Sequence, residues 1–427
     1  MKKIVFLAAM LALTAGPLLV VDCTAQRISA DEQKIVSYID ANKEDAIKLL
    51  ERAVNVESPT DNLTGVRDVG SIFQGELAAL GFSTKWLDMP AEMKRAGHLF
   101  AEKKGTQGRR ILLLGHLDTV LTGEKFRRDG DRGYGSGSSD MKAGDVVIIY
   151  ALKALHESGA LKDANVIVVL TGDEENTGAP NETRIAGLID AAKRSDVALS
   201  FDGGDRNSAQ PSERGQSFWA LEVSAKTGHS SHIFREDAGS GAIFEAARII
   251  DEFYLTLRNE KYLSFNPGAI GGGSDLTDDG KTTLTISGRG SVVPSKALSW
   301  GDLRFISKEQ EAAARAKMRE IVSKSLPGAT SKITFYDGLP AMPPTAQNFE
   351  LLKQLDLVSR DLSFGPVDAA EPIGGAGDIS EIAHLLPCLD DLGGIDHNIH
   401  ATGEYVELDT LPMQIKRAAL LIYRLTR

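Results

Sequence analysis

Ile111-Leu-Leu-Leu114 runs directly into Gly115-His116-Leu117-Asp118, Val166-Ile-Val-Val-Leu170 into Thr171-Gly172-Asp173-Glu174-Glu175, and Val197-Ala-Leu-Ser-Phe201 into Asp202. Each short apolar run reads as a strand, and helical patterns over 143–156 and 182–194 separate the three. Strands that alternate with helices imply an α/β layer around a mainly parallel sheet. Such sheets bind ligands beyond the carboxyl ends of their strands, so His116, Asp118, Glu174, Glu175 and Asp202 fall where chemistry is expected. Between the first two runs, Gly135-Ser-Gly-Ser-Ser-Asp140-Met141-Lys142 is a loop of small residues that lets backbone approach closely and ends on a further carboxylate.

Outward from this centre, residues 31–56 show helical periodicity up to Ser58-Pro59, 68–80 read as a second helix, and 83–87 and 98–102 as strands. From about residue 212 the order changes. Strand patterns at 218–226, 297–306 and 331–336, with strand-like pieces at 262–270 and 282–287 around a Gly-rich turn, accompany helices at 239–257 and 309–325. This β-α-β-β-α-β order predicts a small ferredoxin-like α+β domain inserted into the larger one. Pro340, Pro343 and Pro344 mark the return, followed by a helix at 348–359, a Gly-rich loop at 374–377, a polar loop at 393–403 and a closing helix at 411–425. The expected organisation is a catalytic α/β domain over 26–211 and 339–427, interrupted by a lid-sized domain over 212–338.

Composition narrows the functional classes. The chain has 427 residues, 42% of them hydrophobic and 25% charged, which excludes a disordered protein. Its net charge of -11 is the wrong sign for neutralising phosphates, so nucleic acid is excluded as a partner. Lys2-Lys3, an apolar run over 4–21 broken by Gly16-Pro17, and small residues at Cys23-Thr24-Ala25 read as a secretion signal over 1–25. Periplasmic or secreted localisation follows, with no stable membrane insertion once the signal is removed. Cys388 is then left without a disulfide partner and reads as a small buried apolar residue.

Taken singly, His116 reads as a structural histidine and Glu174-Glu175 as a solvated helix start. Their co-location with Asp202 at three strand ends makes the functional reading the stronger one. Nitrogen and oxygen donors without cysteine describe a site for hard-to-borderline divalent cations. The Gly135 loop is not a dinucleotide fingerprint, because Asp140 stands where the third glycine belongs and no strand is read directly before it. His98, His156 and His384 lie in strand or helix patterns without ligand neighbours, and His397 competes with His400 only by proximity.

These motifs, with Gly228-His229-Ser230-Ser231, Asp302-Leu303-Arg304 and His400 before Glu404-Tyr405-Val406, resemble the M20 family of metallopeptidases from about residue 50 to the C-terminus. The resemblance implies two zinc ions per chain, with Co2+ or Mn2+ as substitutes. Asp140 would bridge them, His116 and Asp202 would hold one, and Glu175 and His400 the other. Asp118 would orient His116 through its far ring nitrogen. Glu174 would be the general base, and His229 would reach into a partner subunit's site to stabilise the oxyanion. Arg304 would grip a free carboxylate, with Asn266 and Gly375 as further substrate contacts. The implied activity is hydrolysis of an amide beside a free carboxylate, in a small peptide or N-acyl amino acid. Release of a C-terminal residue, glutamate among the candidates, leads. An N-acyl amino acid deacylase is the alternative, and a non-catalytic binding protein is weaker because Glu174 and the ligand positions are intact. A homodimer through the lid domain is implied as well. Arg206, Arg214, Arg289 and Lys296 are the candidate cations for an acidic side chain, and spacing does not choose among them.

Overall fold

The computed structural model describes residues 28–279 and 282–427. The segment read as a secretion signal lies outside the described residues. Among the described residues, no helix is long and apolar enough to cross a membrane.

The three apolar runs pair in parallel at the centre of a six-stranded sheet. Its order is Ser83–Leu87, His98–Lys103, Ala164–Thr171, Gln107–His116, Val197–Ser200, Cys388–Leu389. The first two strands are antiparallel and the other four run parallel, so the sheet is mixed. Alternation decides which residue faces which layer. Ile111, Leu113, Val166, Val168, Val197 and Leu199 point into the core built with the helices Ala30–Ala41, Leu63–Ala79, Ala143–Glu157 and Leu411–Leu425. Leu112, Leu114, Ile167, Val169, Ala198 and Cys388 point the other way, against Asn181–Lys193 and Asp378–Ile382. Burial on both faces explains why these strands are continuously apolar. Cys388 is free and fully buried.

Between Gly215 and Asp337 the chain builds a second sheet with a core of its own. Its order is Ser264–Gly273, Lys296–Phe305, Gly215–Ala225, Ala329–Asp337, antiparallel throughout. Helices Gly241–Leu257 and Lys308–Val322 pack on one face, over Trp219, Leu221, Val223, Leu303 and Phe305. Entry and return lie side by side: Glu213 and Met342 exchange backbone hydrogen bonds of 2.8 and 3.1 Å. Two adjacent backbone segments therefore carry the small domain on the large one.

Some local expectations change. The pattern over 31–56 is two helices, Ala30–Ala41 and Lys43–Val54, because the backbone of Asn42 leaves the helical region, at φ -114° and ψ 15°, and caps the first. A short strand, Arg132–Tyr134, does stand directly before the Gly135 loop. It pairs antiparallel with Arg127–Asp129 and Tyr405–Glu407 in a separate small sheet, not in a dinucleotide-binding βαβ unit. These strands are three residues long, too short for a periodic pattern to register.

Gly144 sets the distance between the helix Ala143–Glu157 and the strand end that carries Asp202. A Cβ there would lie 2.0 Å from the carbonyl oxygen of Phe201. Gly144→Ala is expected to lower stability by about 1–3 kcal/mol through overpacking, read as a reduced urea midpoint for the metal-free protein. An unchanged midpoint would show that helix and strand separate freely.

Candidate metal centre

His116 is the last residue of the strand Gln107–His116, Glu174 and Glu175 follow Ala164–Thr171, and Asp202 follows Val197–Ser200. Three neighbouring parallel strands thus deliver their ends to one point. His116 Nε2 lies 3.2 Å from Asp140 Oδ1 and 3.7 Å from Asp202 Oδ1. His400 arrives from the loop between Asp396–His397 and Tyr405–Glu407, with Nε2 3.0 Å from Asp140 Oδ2 and 3.1 Å from Glu175 Oε2. Asp140 therefore presents one oxygen to each histidine. Ligand atoms of His116, Glu174 and Asp202 lie within 4.8 Å of one another, as do those of His116, Asp140 and Glu175. His397 turns away: it stacks on Tyr405 at 4.5 Å and pairs with Glu407 at 2.8 Å.

The charges in this cluster do not balance. Burial pushes the Glu174 carboxyl well above its ordinary pKa, with Asp202 and Asp378 adding to the shift despite the nearby His116. Burial likewise pushes Glu175 up to about 8 and raises Asp202 against the pull of His116. Asp140 goes the other way, because hydrogen bonds from His116 and His400 outweigh its burial. The hydrogen bond to Asp140, with Glu175 beside it, raises His400 to about 9. Burial works against protonation of His116, but Asp118, Asp140 and Asp202 overcome it and raise its pKa. Buried Glu175 Oε1 has no hydrogen-bond partner. Carboxylates converging without enough counter-charge, one oxygen left unpaired, are what divalent cations neutralise, and the donor set fits them.

Asp118 meets His116 chiefly through its backbone. Its carboxylate Oδ1 is 3.5 Å from His116 Nδ1, whose nearer partner is the Asp118 carbonyl at 3.0 Å. The same carboxylate accepts from the backbone N–H groups of Glu174 and Glu175, at 3.1 Å each, and from the Thr60 hydroxyl at 2.6 Å. It locks the first strand end to the second.

Two supports carry no separable signal in the sequence. Glu404 is 2% exposed, and its carboxylate accepts from the N–H groups of Gly137, Ser139 and Asp140 at 2.9 to 3.0 Å and from the Ser139 hydroxyl. It holds the Gly135 loop so that Asp140 faces both histidines. Arg184 is fully buried and donates to Asp378 at 2.7 Å and Glu381 at 3.2 Å, while Asp378 accepts from Thr171 at 2.5 Å. That network ties the strand end before Glu174 to the 374–378 loop. Neither role is readable without the fold, because the partners lie 194 to 267 residues away in the chain.

The small domain contributes Arg304. Its Nε donates to Asp302 at 3.0 Å, and a Cβ built on Gly375 would lie 3.5 Å from its Nη1. A Cβ on Gly377 would lie 3.3 Å from Asp202 and 3.5 Å from Glu174, so one short loop separates Arg304 from the cluster. Of the candidate cations, Arg214 lies nearest to this region. It donates to the Ile373 carbonyl, and to the Ser264 hydroxyl at 3.3 Å. Arg206 pairs with Glu407, Lys296 with Asp275, and Arg289 is exposed. Asn266 stands on the edge strand opposite Asp302. His229 is not brought to the cluster: it is exposed, with its Nδ1 2.8 Å from the Ser231 hydroxyl and its ring 6.1 Å from that of His232.

Fold and site together define a metal-dependent hydrolase of the α/β type, with a bipartite cluster of nitrogen and oxygen donors on a sheet edge. The model of peptidase family M20/M25/M40 matches residues 112–424, and the chain belongs to that family. Carboxypeptidase G2 of Pseudomonas sp. (strain RS-16) is 28% identical over 388 residues, covering 88% of either chain. Succinyl-diaminopimelate desuccinylase of Cupriavidus taiwanensis is 24% identical over 361 residues, which cover 79% of this chain and 88% of the relative. Among solved structures, aminopeptidase PepT of Bacillus cereus superposes with a TM-score of 0.72 at 18% identity, over 90% of this chain and 99% of that one.

Burial raises the pKa of Glu175, and the hydrogen bond to Asp140 raises that of His400, so without a cation both side chains favour their protonated forms near neutral pH, and a ligand must lose its proton to bind metal. Adding a divalent cation to metal-free protein is therefore expected to release protons, with apparent affinity rising with pH up to about 9, where both groups have lost theirs. Calorimetry in two buffers of different ionisation enthalpy counts them. Binding without proton release would mean that these two side chains are not ligands.

Proposed function

We propose that this chain is a two-zinc exopeptidase that hydrolyses the amide next to a free carboxylate and releases a C-terminal amino acid from a small peptide. The observation that carries the reading is Arg304 one loop away from the cluster. A planar guanidinium suits a bidentate grip on a carboxylate, and Gly375 leaves room for one. His116 and Asp202 would hold one cation, Glu175 and His400 the other, with Asp140 between them; Co2+ or Mn2+ could replace zinc. Bound there, the cations supply Lewis acidity to the scissile carbonyl and lower the pKa of a water. Glu174 would accept a proton from the water that adds to the carbonyl and deliver it to the amine as the C–N bond breaks, a task suited to a buried carboxyl of raised pKa. Arg304 holds the carboxylate and so fixes the distance from the end of the chain at which the amide is cut. The likeness to a carboxypeptidase supports this reading.

The second reading, an N-acyl amino acid deacylase, is favoured by the likeness to desuccinylases and uses the same centre with the other side of the amide recognised. Hydrolysis of dipeptides and of N-acyl amino acids by zinc-loaded protein separates the two. Turnover of neither would support a binding protein instead. A periplasmic or secreted site of action rests on the segment over 1–25.

A homodimer through the small domain fits the same proposal. Ile243, Phe244, Tyr254 and Leu255 are exposed on the helix Gly241–Leu257, next to the edge strand Ser264–Gly273. A second copy seated there would give His229 an oxyanion to meet in the neighbouring site. Mixing His229→Ala chains with Glu174→Gln chains is then expected to restore roughly one competent site per heterodimer, because each variant lacks a different component. A verified heterodimer without activity rules out action across the interface.

The adjacent glutamates have opposite tasks. Glu174→Gln is expected to keep both cations and substrate affinity while losing on the order of a hundredfold or more in turnover. Glu175→Gln is expected to lose metal, since an amide keeps the shape of a carboxylate without its charge. Metal content and kcat measured on both variants decide the assignment; the opposite pattern exchanges the two roles.

A further inference from the structure

The small sheet carries its helices on one face only. On the other face, the strand Lys296–Phe305 presents Leu298, Trp300, Asp302 and Arg304 in sequence. Phe218 lies opposite Asp302 on the next strand, and Tyr336 opposite Phe218 on the one after. Phe218 is 43% and Tyr336 55% exposed, although both are large and apolar in body. With Trp300 and Leu298 they line a groove of about 980 Å³. That is the size of a small-molecule site, which spans roughly 300–1,000 Å³.

Asp302 links this groove to the candidate metal centre. It lines the groove and accepts from Arg304, whose guanidinium reaches the Gly375 loop beside Asp202 and Glu174. Phe218 is the diagonal cross-strand neighbour of Arg304, a separation of roughly 7–8 Å between backbones. A carboxylate on Arg304 and the side chain on the same Cα therefore fall within one residue's reach of the aromatic face. Helix residues Ile243, Phe244, Tyr254 and Leu255 belong to the opposite side of the sheet, so a copy docked on them leaves this groove open. An acidic side chain finds little here. Asp302 stands at the inner end, Glu222 lines the groove further along, Lys296 is paired with Asp275, and Arg214 is bound to Ile373 and Ser264.

We infer that the open face of the small sheet, at Phe218, Trp300 and Tyr336, is the side-chain subsite for the residue being released, and that it takes aromatic or large apolar side chains in preference to acidic ones. This inference rests on the exopeptidase reading for the position of the carboxylate. The aromatic rings supply apolar area with little conformational entropy to lose, and Asp302 repels a second carboxylate.

The test compares acetylated dipeptides that end in Phe, Leu, Ala or Glu, with the zinc-loaded full chain. Phe and Leu are expected to exceed Ala and Glu by roughly tenfold or more in kcat/KM. Phe218→Ala and Tyr336→Ser are each expected to reduce the Phe-to-Ala ratio several-fold, chiefly through KM. A preference for Glu, or variants that lower all four substrates alike, overturns the subsite. A variant that changes the oligomeric state and leaves the ratio unaltered also overturns it, in favour of a second copy on this face. Binding of the same dipeptides to zinc-loaded Glu174→Gln protein, measured by calorimetry, separates the two levels. Selective binding of the Phe peptide without wild-type turnover keeps the subsite and rejects the exopeptidase; turnover without selective binding does the reverse.

Discussion

Buried like charge is the constraint on which this structure depends. Asp140, Glu174, Glu175 and Asp202 are drawn together at the carboxyl ends of the sheet's parallel strands, where two histidines are the only cationic groups that touch them among the described residues. Carboxylates this close do not ionise together without a counter-charge. The centre is consequently a poor piece of protein and a good cation site. Its cost is accepted because the surrounding fold holds the groups in place whether or not they are satisfied.

That holding is done by carboxylates that are themselves fully partnered. Asp118 clamps the backbone of the two glutamates, Glu404 clamps the loop that ends in Asp140, and Asp378 with Arg184 clamps the strand end and the Gly-rich loop. Each is a charge-assisted bond in a dry environment, where such bonds are strongest. The carboxylates of the candidate centre are left short of partners while the supporting ones have several. The small domain adds a second layer: Arg304 approaches the same Gly-rich loop from its own sheet, so the two domains meet at glycines beside the cluster.

Much of this was legible in the chain. The three apolar runs ending in His116, Glu174-Glu175 and Asp202 specify a buried parallel sheet with its polar residues at one edge, because alternation and strand direction leave no other place for them. The β-α-β-β-α-β order of the middle segment is likewise visible as changes of hydrophobic period, and the structure builds a four-stranded sheet from it, while the strand read at 282–287 pairs with Asp275–Asp278 in a separate two-stranded ribbon. The strands Arg127–Asp129, Arg132–Tyr134, Asp396–His397 and Tyr405–Glu407 were not legible, being too short to show a period. Yet they position His400.

What the sequence by itself determined is which polar residues stand at the strand ends and the layer they occupy: strand ends are local, and a histidine or glutamate directly after an apolar run is placed by its own segment. Only the tertiary structure decided which of them touch and what supports them. Asp140 lies between His116 and His400 because Glu404, far along the chain, grips its loop; Arg184 reaches Asp378 only once a helix packs across the sheet. The aromatic face beside Arg304 belongs to the same category. Phe218, Trp300 and Tyr336 sit on three separate strands, and what makes them neighbours is the pairing register of an antiparallel sheet, which no single strand encodes.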